Sequence, residues 1–258
     1  MTPPTPPTRG EELLLARISA AAGREHLGKR CATYGGAAHP AHAHAVPVRG
    51  IRALLAFVRY GRPSATKASA DARVDLYEHG MTVAVNGRIH VVRYDTTSVF
   101  QYDTTSVFQN STRHPHGSAR IGTTRTYTTY TLTDVEGKRV VLHGVPENSD
   151  AEEAEESEEW GHEIQRAVAR AQVPRALAAL DKGERLTFGD IWLTREKVGS
   201  GEVSARWQQV RRCEIEKGAI SLDIDGNWHG MGPTVSRIPN LLVFCALVER
   251  LRTDAARS

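Results

Sequence analysis

Apolar positions recur with helical spacing in several stretches of the chain and alternate in short runs between them. Leu13, Leu14, Ile18 and Ala21 fall near helical spacing behind Glu11 and Glu12, whose charges suit the positive end of a helix dipole, and predict a short helix over 11–22. Val48, Ile51, Leu54, Leu55 and Val58 share one helical face, with Arg49, Arg52 and Arg59 on the adjoining side. From Val74 the period shortens, and residues 74–77, 81–85 and 89–93 read as strands. Asn86-Gly87 separates the last two, a strong hairpin signal because a type I′ turn needs positive φ at both central positions. The meander continues through 127–133, a turn at 134–137 and a strand at 139–142. Residues 151–180 return to helical spacing with Trp160, Ile164, Ala167, Val168 and Ala171 on one stripe, and Pro174 is expected to kink or restart that helix.

A second pass of the same kind follows. Residues 185–188, 191–194, 203–207, 210–216 and 219–224 read as strands, with Lys217-Gly218 and Asp225-Gly226 as turns. A closing helix then places Leu241, Phe244, Cys245, Val248 and Leu251 on a core-facing stripe. Residues 1–9 read as a solvated tail and 31–47, rich in Gly, Ala and Pro, as a loop. In the first pass Arg93-Tyr94 ends a strand and polar residues lead to Val99; in the second Arg206-Trp207 is followed by two glutamines and Val210. The expectation is an α+β chain: an N-terminal tail and helical region over 1–70, then two strand-rich units over 71–180 and 181–253, each closed by its own C-terminal helix.

Four stretches carry a family resemblance: LYEHGMTVAVNGRIHVVRYDTTSVFQ at 76–101, VPRALAAL at 173–180, GERLTFG at 183–189 and IPNLLVF at 238–244. Over residues 12–252 the chain resembles an uncharacterised actinobacterial family with tandem pleckstrin-homology-like domains. The resemblance implies two antiparallel sandwich or barrel domains, each plugged by a helix, and carries over no catalytic residue. Such folds serve as scaffolds for lipid headgroups, peptides or proteins, an analogy at the level of fold alone.

Composition narrows the classes. The chain has 258 residues, 40% of them hydrophobic, an ordinary globular value. No apolar run approaches a membrane span and the N-terminus lacks a secretory signal, so a cytoplasmic location is expected. Three dispersed cysteines, Cys31, Cys213 and Cys245, encode neither a disulfide framework nor a thiolate metal site. Residues 1–70 hold ten Lys or Arg against three Glu, a net of +7 where the whole chain has +3.

No motif gathers reactive groups at a catalytic spacing. His39, His42 and His44, and His114 and His116, stand close together without a supporting carboxylate or thiol and read as solvated loop histidines. His162-Glu163 lacks the second histidine of a zincin helix, since residue 166 is Arg. Asp223, Asp225 and Gly226 read as a hairpin turn rather than a calcium loop, and Gly199-Ser200-Gly201 lacks the spacing of a nucleophile elbow. The acidic run 150–159, seven carboxylates in ten residues, reads as a solvated helix start. Trp192, Trp207 and Trp228 read as core and cross-strand packing, and no nucleic-acid partner is expected. The leading expectation is a non-catalytic interaction or scaffold module with a protein or peptide partner and no cofactor. The alternatives are a peripheral adaptor that meets an anionic membrane surface through Arg49, Arg52 and Arg59 on the segment 48–62, and a hydrolase or metalloenzyme with dispersed site residues.

Residues 94–101, Tyr-Asp-Thr-Thr-Ser-Val-Phe-Gln, are repeated without change at 102–109. Eight is even, so the insertion preserves strand parity. Its ~26 Å of extra strand is more than the neighbouring strands are expected to match, which predicts one copy in the sheet and the other bulged, looped out or extending an edge.

Overall fold

The structure, a computed structural model, describes residues 9–35, 73–85, 87–114, 117–143 and 151–257. The basic segment 48–62, with Arg49, Arg52 and Arg59, therefore lies outside the described residues. Strands β1 (Arg30–Gly35), β2 (Arg73–Tyr77), β3 (Gly80–Val85) and β4 (Arg88–Arg93) form a four-stranded antiparallel meander. A three-stranded meander of β5 (Val99–His114), β6 (Gly117–Thr133) and β7 (Arg139–His143) follows, then helix α2 (Ala151–Asp181). The same order returns in β8 (Leu186–Phe188), β9 (Ile191–Leu193), β10 (Lys197–Ser200) and β11 (Val203–Arg206), then β12 (Val210–Glu216), β13 (Ala219–Ile224) and β14 (Asn227–Thr234), then helix α3 (Leu241–Ala256). Helix α1 (Arg9–Arg24) precedes both. The chain is thus α+β with open antiparallel sheets; none of them closes into a barrel, which corrects the barrel form of the expectation.

Three strands fall where no strand was expected. Residues 30–35 lack alternating Val or Ile, yet they pair with β2 because Thr33 and Arg30 reach the buried carboxylate of Asp75, at 2.7 and 3.5 Å. β10 and β14 are glycine-bearing, a composition that weakens strand signals. In β10 the glycine is needed, because a Cβ on Gly199 would lie 2.4 Å from the Trp192 ring of the paired strand. The turns follow the dipeptide signals: Lys217 and Gly218, and Asp225 and Gly226, all take positive φ between paired strands.

One apolar cluster joins both halves, from Val74 and Leu76 through Ile164 and Val168 of α2 to Phe244 and Leu251 of α3. The stripe of α2 is buried as its spacing predicts at Trp160, Ile164 and Val168, and the helix runs through Pro174 as one element. α3 turns slightly from the expected face, burying Val243 and Leu247 with Phe244, Val248 and Leu251 while Leu241 and Cys245 stay half-buried. In α1 only Ile18, Ala21 and Ala22 are buried, and Leu13 is 63% exposed, because the helix rests on β3 and β4 with its C-terminal half.

The links between meanders match in the two halves. Tyr94 after β4 and Trp207 after β11 are both buried, and Val99 and Val210, also buried, begin the next strand. The first octapeptide copy forms this link in the first half. Thr97 Oγ1 donates to Thr133 O at 2.9 Å and accepts from Thr133 N at 3.2 Å, and the Thr97 side chain is buried. The second copy lies wholly in β5, whose ladder with β6 runs unbroken from Val99 opposite Leu132 to His114 opposite Gly117. β7 pairs only with 129–133, so beyond it β5 and β6 continue as a two-stranded ribbon. The insertion is therefore matched in full by β6, a correction to the bulge or loop expected for one copy; the expected edge extension holds.

Identical octapeptides in unlike surroundings give a paired test. Thr97→Val should destabilise the chain by ~1–3 kcal/mol, because the N–H and C=O of Thr133 lose their side-chain partner, whereas Thr105→Val, the same position in the second copy, on the two-stranded ribbon, should change stability by less than ~0.5 kcal/mol. Deleting 102–109 should leave the thermal transition in place, since the buried residues Val99, Tyr130 and Leu132 keep their pairing. Thermal denaturation of the three variants checks this; equal losses at Thr97 and Thr105 contradict it.

Candidate functional site

The cleft between α1 and two hairpin turns gathers Arg17, Arg24, Arg88 and Lys138 around one opening. Burial of Ile18, Ala21 and Ala22 fixes the roll of α1. Arg17 and Arg24, seven positions apart and therefore on one helix face, then flank the buried stripe and face the β3–β4 turn. Arg17 Nη2 donates to Gly87 O at 3.0 Å, tying the helix to that turn. β4 supplies Arg88 and His90, and the β6–β7 turn supplies Asp134, Glu136 and Lys138. Val135 N donates to Val91 O at 2.9 Å, so the second turn is docked on β4. Together they enclose a cleft of about 620 Å³.

The charges are not all available. Asp134 is buried, accepts from the main-chain N–H groups of Glu136 and Lys138 at 3.0 and 2.7 Å, and lies 2.9 Å from His90 Nδ1. It shapes the turn and orients the imidazole. Lys138 is bonded to Glu136, which raises its pKa. Arg24 and Arg88 have no ion pair among the described residues, so their guanidinium groups, with Arg17, give the cleft an excess of positive charge over Glu25. Guanidinium groups converging on one opening suit a carboxylate or phosphate, through forked N–H donation. The exposed Val135 adds an apolar rim.

A second charged cluster is structural. The fully buried Asp75 side chain is bridged by Arg73, with Nε to Oδ2 at 2.7 Å and Nη2 to Oδ1 at 2.8 Å, beside Thr33 and Arg30. Burial alone would raise the Asp75 pKa, but the bonds from Arg73 and Thr33 and the charges of Arg73 and Arg30 outweigh it and hold the carboxyl below its ordinary value.

The other sequence candidates are dispersed. His39, His42, His44 and His116 lie outside the described residues, and His114 ends β5. His162 is exposed on α2, and its neighbour Glu163 accepts from Tyr34 Oη at 3.2 Å. Residues 151–159 of the acidic run start α2. Ser200 ends β10 before a tight turn at Gly201, and Asp223 caps the β13–β14 turn by accepting from Gly226 N at 2.8 Å. Trp207 is buried with Nε1 donating to Thr194 O at 3.1 Å, and Trp192 lies under the Arg185 guanidinium, 4.3 Å from the ring centroid. Trp228 is 50% exposed, contrary to its expected packing role. Cys213 and Cys245 are half-buried free thiols, and burial, with the charge of Cys245 nearby, pushes Cys213 up to about 11. Among the described residues no three His, Cys, Asp or Glu side chains stand close enough to hold a metal ion, and no helix is long and apolar enough to cross a membrane. Sequence reasoning missed the cleft itself; its one legible trace was the spacing of Arg17 and Arg24 beside the apolar stripe of 11–22.

These features define an α+β protein of open antiparallel meanders, each set followed by a helix, with a basic cleft under its N-terminal helix. The chain belongs to the family of unknown function DUF6585, which matches residues 67–257 and so covers every described element after β1. No curated protein and no solved structure matches it.

The Asp75 cluster gives a pH test. Its folded-state pKa lies below the ordinary 3.8, so its stabilisation is present above that value and is lost as pH falls through the folded pKa. Asp75→Asn should lower stability at neutral pH by ~1–3 kcal/mol and flatten the decline of stability below about pH 4. Thermal denaturation of both proteins from neutral to acid pH checks this, and parallel curves contradict it.

Proposed function

We propose that this protein is a non-catalytic interaction module of the cytoplasm, built from two tandem pleckstrin-homology-like units, and that the basic cleft receives an acidic segment of a partner protein. The units correspond to residues 71–180 and 181–253, with β1 completing the first sheet from within the N-terminal region 1–70. The repeated succession of four strands, three strands and a helix, with a buried aromatic at the same link in both halves, supports the tandem reading.

The observation that carries the binding role is the convergence of Arg17, Arg24 and Arg88 on one cleft, with Arg24 and Arg88 free of ion pairs among the described residues. A structural cluster would spend its guanidinium groups on carboxylates, as Arg73 does on Asp75. Here the local carboxylates are instead used on the turn and on Lys138. Charges placed at an accessible rim mainly govern encounter and salt dependence.

A fluorescein-labelled hexaglutamate peptide is the direct probe. It should bind saturably at low salt, weaken as salt rises, and bind at least tenfold more weakly to an Arg24→Glu, Arg88→Glu double variant. Equal binding by the variant contradicts the cleft. Recruitment to phosphatidylglycerol vesicles without peptide binding would replace this reading with that of a membrane adaptor.

A further inference from the structure

A second opening lies where the two halves meet, enclosed by the 95–98 link, α2, β8 and the residues leading into α3, with a volume of about 480 Å³. That size falls in the range of small-ligand pockets. Its floor is apolar, with Phe188 and Val243 from the second half and Ala176 from α2. Phe188 is locked by an edge-to-face contact with Phe244, ring centroids 5.5 Å apart, so the floor is rigid. Ser98 and Thr187 add hydroxyl groups at the walls.

Three charged groups line the groove. Asp95 is bridged by Arg93, both bonds at 3.1 Å, and by Arg175 at 2.8 Å, and those partners hold its carboxyl ionised, below its ordinary range. Asp95 is thus fully engaged, and Arg175 is spent on it. Arg185 differs. Its guanidinium stacks 4.3 Å above the Trp192 ring and has neither a carboxylate nor a hydrogen-bond acceptor among the described residues. Stacking restrains the guanidinium and leaves its in-plane N–H donors unspent, beside an apolar floor.

We infer that this groove is a binding site for a carboxylate joined to an apolar body, the carboxylate on Arg185 and the apolar part on Phe188 and Val243. Either a free organic acid or the C-terminal residue of a polypeptide carries that chemistry. Because both halves and the Asn240–Gln172 contact line the groove, its occupant also bridges the halves and stabilises their union.

The test uses the intact protein and two pairs of probes: 3-phenylpropionate against its amide, and acetyl-Ala-Leu-Phe with a free carboxylate against its C-terminal amide. Each carboxylate that binds should do so saturably, at least tenfold more tightly than its amide, with a rise in Tm and a change in tryptophan fluorescence. The probe with the larger effect distinguishes the two sources. Arg185→Gln should abolish the preference for the carboxylate, and Ala176→Leu, which fills the floor, should abolish binding. Thr187→Tyr, at the exposed mouth, should weaken it also and serves if the floor variant misfolds. The Arg24→Glu, Arg88→Glu variant should bind these probes as the native chain does, which separates this site from the basic cleft. Equal binding of carboxylates and amides, no saturable binding of either pair, or an Arg185→Gln variant that keeps the preference overturns the proposal.

Discussion

Where the apolar cluster joins the two halves, one side-chain amide, that of Asn240, ties the 94–99 link to both α2 and α3. Asn240 Oδ1 accepts from Val99 N at 2.7 Å, its Nδ2 donates to Thr97 O at 3.1 Å and to Gln172 Oε1 at 2.8 Å, and its own N–H donates to Val99 O at 2.8 Å. Gln172 in turn donates to Tyr94 O and Thr97 O, both at 2.8 Å. To make these bonds Asn240 adopts the left-handed conformation, φ 52 and ψ 49, at the start of α3. A non-glycine residue there costs free energy unless its surroundings over-determine it. Asparagine tolerates the region better than most residues, and its amide supplies both the donor and the acceptor that the 94–99 link requires. The link, the C-terminal third of α2 and the start of α3 are therefore tied together, and all three line the groove that we assign to a carboxylate.

This arrangement explains why the octapeptide duplication is tolerated. The first copy supplies Tyr94, Asp95, Thr97 and Val99, all spent on the junction. The second begins beyond them and lengthens a hairpin whose partner strand is long enough to pair with it. Sequence identity between the copies conceals a division of labour set by where each falls, one at the link between meanders and the other in the β5–β6 ladder.

How much was legible follows from the range of the interactions involved. Hairpins marked by positive-φ dipeptides and the helical stripe of α2 are local signals, and they read correctly. β1 was not legible, because residues 30–35 become a strand through Asp75, more than forty positions away. β10 and β14 were hidden by glycines whose purpose, in Gly199, is to let Trp192 lie across the next strand. The repeated Arg-aromatic link was visible in the sequence, but Asn240, 141 positions from Val99, carried no signal of its role. The basic cleft was not read from the sequence: Arg17 and Arg24 share a helix face there, but the cleft depends on which turns α1 meets.

The two strand-rich halves share one apolar cluster and fold as one body, with Asn240 fastening their junction. Calorimetry of the native chain beside Asn240→Gly, which keeps the left-handed backbone accessible while removing the amide, tests it most directly. The native chain should show one transition whose van't Hoff and calorimetric enthalpies agree, and the variant a separation into two transitions. Two independent transitions in the native chain, or a variant with unchanged Tm and cooperativity, would contradict it.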